Sequence, residues 1–108
     1  MSNVTNLIIV LGPAEPDESI EKINSFSYYD GKRKLNLLDV TQQPNNFDGD
    51  KYFVGRVLIG AYNHFPFDDF MRHIKSIAFS DKGLVQVLLK GENHERFEVI
   101  YPFGLYEE

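Results

Sequence analysis

A chain of 108 residues with 43% hydrophobic, 25% charged and 14% aromatic side chains is long enough for one hydrophobic core and too short for two ordinary domains. Sixteen acidic against eleven basic residues leave a formal charge of −5, which argues against nucleic acid as a partner, because binding phosphates takes clustered Lys and Arg. The absence of cysteine removes disulfides, thiolate zinc sites and cysteine nucleophiles.

At the amino end, Met1 to Asn6 lacks the basic stretch of a signal peptide, and the apolar run that follows is too short for a membrane span. The expected setting is therefore cytoplasmic, with no membrane partner, and there the glycosylation pattern Asn3-Val4-Thr5 has no meaning. Leu7-Ile8-Ile9-Val10-Leu11 is an unbroken aliphatic run stopped by Gly12-Pro13, the pattern of a central strand buried on both faces. Pro16-Asp17-Glu18 supplies helix-start chemistry. Ile20, Ile23 and Phe26 or Ser27 follow at helical spacing until Asp30-Gly31 breaks the helix.

The basic run Lys32-Arg33-Lys34 reads as a solvated turn, and Leu35, Leu37, Leu38 and Val40 predict a second strand. Thr41 to Asp50 is a long loop rich in amides. Tyr52 to Tyr62 predicts a third, long strand in which Gly55 and Gly60 mark bulges or a bend. From Pro66 onward Phe67, Phe70, Met71, Ile74, Ile77 and Ala78 recur at helical spacing, with Asp68 and Asp69 in the first turn and Arg72, His73 and Lys75 further along, as the helix dipole favours. Ser80 to Gly83 ends that unit. Val85, Val87 and Leu89 alternate, and after Gly91-Glu92-Asn93-His94 the alternation resumes in Phe97, Val99 and Tyr101, which predicts a hairpin.

The order is β-α-β-β-α-β-β over residues 1–108: a single α+β domain, an antiparallel sheet with two helices on one face. That is the split β-α-β order of ferredoxin-like domains with an added C-terminal strand.

No motif fixes a chemistry. His64 and His73 bracket Asp68 and Asp69 around a helix start, and such a cluster suits a divalent ion, but zinc patterns are missing and Asp69 with His73 reads as an ordinary pair four residues apart. Asp48-Gly49-Asp50 lacks the oxygen spacing and closing glutamate of a calcium loop, and Gly12-Pro13 lacks the remainder of a phosphate loop. The carboxylate pairs Asp17/Glu18, Asp68/Asp69 and Glu95/Glu98 sit at helix starts or on a strand. No catalytic residue, metal or cofactor is assigned.

Nine Phe and six Tyr exceed what one small core holds. Phe47, Asp48, Asp50, Tyr52, Phe103, Leu105 and Tyr106 are therefore the candidate partner surface. The expectation is a non-enzymatic acidic domain that binds another protein, a basic one being electrostatically favoured. In size, acidity and lack of cysteine the chain resembles toxin-neutralising immunity proteins. Two rival readings are a ferredoxin-like homodimer with a small-molecule or catalytic site at Tyr52 or Tyr62 with His64, and a structural assembly subunit joined through edge strands and the tail.

Overall fold

In the computed structural model, which describes residues 3–41 and 55–104, the elements run β1 (Val4–Leu11), α1 (Asp17–Asn24), β2 (Ser27–Tyr28), β3 (Arg33–Lys34), β4 (Leu38–Asp39), β5 (Arg56–Asn63), α2 (Phe67–Lys75), β6 (Gln86–Gly91) and β7 (Glu98–Ile100). Five strands lie side by side as β4-β5-β1-β6-β7, antiparallel throughout, and β2 with β3 forms a separate hairpin. The chain is thus one α+β domain with an antiparallel sheet and two helices.

The central place of β1 follows from its aliphatic run, which has no position that prefers water. Because successive side chains of a strand point to opposite faces, Leu7, Ile9 and Leu11 fall on one side and are buried. They meet Leu58 of β5 and Val87 of β6 in the same core cluster as Ile23 of α1 and Phe70 and Ile74 of α2, so both helices cover one face of the sheet. Phe26, just past α1, joins the layers through edge contacts with Phe65 and Phe70.

The first helix ends earlier than its spacing suggests. Ser25 caps it, donating its hydroxyl to the carbonyl of Lys22 at 2.6 Å, and the chain then enters β2. Asp30-Gly31 does not break a helix but makes the tight turn between β2 and β3, with φ values of 55° and 78° and a closing bond from Lys32 N–H to Tyr29 O at 3.1 Å. Asp-Gly suits this turn because both central residues must adopt positive φ. Tyr28 and Arg33 fasten the hairpin to the sheet, each donating to the carbonyl of Asn63.

The strand expected at 35–40 is reduced to the two residues of β4. Leu35 and Leu37 are buried all the same, since the side-chain amide of Asn24 takes the place of a neighbouring strand. Its Nδ2 donates to Leu37 O at 3.3 Å, and its Oδ1 accepts from Leu37 N–H at 2.9 Å. Nor does β5 bulge at Gly60, where the register with β1 is continuous from Arg56 to Asn63. Gly60 is needed for space instead: a Cβ there would sit 2.8 Å from the Tyr62 hydroxyl and 2.9 Å from Leu37 Cδ2. Gly55, at φ 122°, turns the chain into β5.

Candidate functional site

The second face of the sheet has no layer over it among the described residues. Its composition follows from the strand registers. Leu38 of β4 pairs with Ile59 of β5, Ile59 with Ile8 of β1, Ile8 with Leu88 of β6, and Leu88 with Val99 of β7. One aliphatic row therefore crosses all five strands. Val57 and Val10 lie in the next row, and Phe97 and Tyr101, two residues either side of Val99, fall on the same side. Leu38 is 64% exposed, and Ile59, Phe97, Val99 and Tyr101 lie between 38% and 44%. Isolated exposed apolar side chains are ordinary, whereas these residues form one contiguous patch.

Leu38, Phe97, Asn6, Ile8, Ile59 and Ala61 line an open trough of about 520 Å³ on this face. Asn6 is the one polar side chain lining it. Lys90, opposite Asn6, is the one charged residue among the paired positions of this face. The trough can hold apolar surface and offers little to a polar substrate.

The signal for this surface was present in the sequence as apolar neighbours: Ile8-Ile9, Leu37-Leu38, Val57-Leu58-Ile59 and Val87-Leu88-Leu89. Adjacent apolar residues in a strand put one on each face. Reading the strands by their buried half alone leaves Leu38, Ile59 and Leu88 unassigned.

A polar cluster lies at the end of the sheet where β1 and β4 finish and β5 begins. The Arg56 guanidinium reaches Asp39 at 2.7 Å and Asp17 at 2.8 Å and donates to the carbonyl of Glu15 at 3.0 Å. Asp39 also accepts from the hydroxyl and backbone N–H of Thr41. Burial alone would raise the Asp39 carboxyl, but the Thr41 and Arg56 hydrogen bonds outweigh it and hold it below its ordinary value. Glu15, not singled out by any pattern, is buried. Its Oε1 accepts from Ser19 Oγ at 2.6 Å and Ser80 N–H at 2.9 Å, while Oε2 has no partner. Apart from Glu15 Oε2, these groups are joined to one another or to nearby backbone, and they brace loops.

The histidine and aspartate cluster expected around α2 is dispersed. His73 bonds the Lys22 carbonyl through Nε2 at 2.7 Å and rests 5.3 Å from the Phe26 ring, tying α2 to the end of α1. Asp69 pairs with Arg72 rather than His73, and Asp68 is exposed. His64, at φ 51°, lines an open polar depression with Tyr28, Tyr29, Asp30 and Asp69. Tyr62 does not line it. Its ring packs on Phe65, its hydroxyl accepts from Asn36 N–H at 3.0 Å, and burial pushes its phenol above the ordinary value. Among the described residues no group of three or more His, Asp or Glu is placed to hold a metal ion.

Of the aromatic and acidic candidates, Phe47, Asp48, Asp50, Tyr52, Leu105 and Tyr106 lie outside the described residues. Phe103 is half-buried, its ring 5.8 Å from Phe79 with the Lys82 ammonium 5.3 Å from its centre. No helix among the described residues is long and apolar enough to cross a membrane.

The fold and this surface together define an α+β domain with one apolar sheet face covered by helices and one left open among the described residues. Comparison with protein-family models, with curated proteins and with solved structures finds no match to the chain.

Proposed function

We propose that the chain is a non-enzymatic protein-binding domain whose working surface is the uncovered face of its sheet. The observation that carries this reading is the row Leu38–Ile59–Ile8–Leu88–Val99, aliphatic from one edge of the sheet to the other. A ligand or catalytic pocket calls for several polar groups converging on an enclosed space. The trough here is apolar and open, which suits protein side chains better than a small polar molecule. The strand order supports the ferredoxin-like assignment, with β7 as the added strand and the face away from α1 and α2 left for a partner.

The narrower role of a toxin-neutralising, immunity-type inhibitor draws support from the charge of −5 and from the exposed carboxylates Glu18, Glu21, Asp68 and Asp69 on the helix layer. Charges so placed would steer a basic protein toward that side. A photo-crosslinking side chain at position 59, in the full chain expressed in cells, is expected to yield one adduct of defined mass. The same group at position 21 reports on the helix layer. Unlinked chain from both positions overturns the protein-binding reading.

A further inference from the structure

We infer that the occupant of the open face is a second copy of this chain, the two sheets packing face to face about a two-fold axis. This rests on reading that face as a docking surface and names what docks there.

The electrostatics select the occupant. A basic partner needs carboxylates, and the paired positions of the open face hold none; their single charge is Lys90. The exposed acids Glu18, Glu21, Asp68 and Asp69 lie on α1 and α2, which cover the opposite face. Two chains of charge −5 can therefore meet sheet to sheet with these carboxylates turned away from the contact, where solvent and salt screen them.

Shape points the same way. Leu38, 64% exposed, projects beside the trough that it lines with Asn6, Ile8, Ile59, Ala61 and Phe97 on the same surface. A two-fold axis lying in the interface, parallel to the two sheets, would seat one copy's Leu38 and Phe97 against the other's trough, which is the self-complementarity that an isologous contact requires. Packing at about 10 Å between sheets would give Ile8 and Leu88 the second apolar layer that the continuous run in β1 calls for. Growth at the β4 edge is a poorer alternative, because Asn24 already occupies the outward peptide groups of Leu37.

Sedimentation equilibrium of the full chain, from micromolar to about millimolar concentration, tests the inference by distinguishing a standard-size dimer from a monomer. The parent is expected to give a dimer, and Ile59→Lys and Val99→Lys to weaken it at least about 100-fold by burying a charge without a partner. Glu21→Lys should leave it unchanged. Circular dichroism establishes that each variant is folded, and Leu38→Lys, at the most exposed position, substitutes for one that is not. A parent that stays monomeric throughout overturns the second-copy inference, as does a dimer that survives the folded lysine variants. In the monomeric case a hydrophobic dye separates the two levels. Dye fluorescence that falls in Ile59→Lys leaves a docking face for a different protein, whereas fluorescence unaffected by the substitution removes the docking face as well.

Discussion

Arg56 and Asp39 form the most heavily desolvated ion pair of the described residues, with side chains 14% and 6% exposed. Such a pair contributes little over apolar packing but is costly to break, because the remaining charge has no water to return to. Arg56→Met is expected to destabilise the fold by about 3 kcal/mol in chemical denaturation. Asp39 adds a pH dependence. Its carboxyl titrates below the ordinary aspartate value in the folded chain, so its stabilisation is fully present above the unfolded value. It is lost as pH falls through the folded one, below roughly pH 4. Asp39→Asn should flatten the acid limb of a stability profile measured by urea melts, while the parent steepens there. An unchanged acid limb would show that Asp39 is not the group responsible.

Within a single element, β1 places two chemically identical residues in opposite environments. Ile9 is fully buried under the helices, and its neighbour Ile8 joins the open face beside Ile59. Ile9→Thr loses a methyl group and buries a hydroxyl, which should cost about 2–3 kcal/mol. Ile59→Thr, measured where the chain is dilute enough to be monomeric, should stay within about 0.5 kcal/mol of the parent. A large loss at position 59 in the monomer would mean that a part of the same chain covers it.

Elements of this kind were legible where the pattern is local: the run in β1, the stripe of α2 and the alternation of β6 and β7 all stand where the spacing puts them. The stretch between α1 and β4 was not. Asp30-Gly31 suits a helix terminus and a hairpin turn equally well, and only the pairing of Ser27 with Lys34 decides between them. Leu35 and Leu37 read as strand because they are apolar. What satisfies the Leu37 peptide is the side chain of Asn24, thirteen residues away, which no strand periodicity reports. Gly60 likewise gains its meaning from Leu37 and Tyr62. The open face was half legible: β1 reads as buried on both faces, and among the described residues the helices cover only one of them.

At the scale of the whole molecule, the charges Glu18, Glu21, Lys22, Asp68, Asp69, Arg72 and Lys75 lie on the helix layer while the paired positions of the open sheet face hold only Lys90, which makes two kinds of association distinguishable by salt. Self-association through the sheet should strengthen slightly or stay constant as ionic strength rises, because repulsion between the acidic chains is screened. Capture of a basic protein by Glu18, Glu21, Asp68 and Asp69 should instead slow in its association rate with added salt. Sedimentation and stopped-flow series across salt concentration would separate them. A self-association that weakens steeply with salt would contradict the uncharged contact.

The unequal lengths of the strands have a dynamic consequence. β1 and β5 pair over eight residues, while β4 and β7 contribute two and three. Amide exchange should therefore be slowest at the centre of β1, where opening requires global unfolding, and much faster at both margins, which can fray alone. The trough is then lined by the long central strands through Ile8 and Ile59 and by the short outer ones through Leu38 on β4 and Phe97, which directly precedes β7. An occupant would find its seat already formed and would set the margins in place as it arrived, so protection gained on association should appear in β4 and β7 and leave β1 as it was.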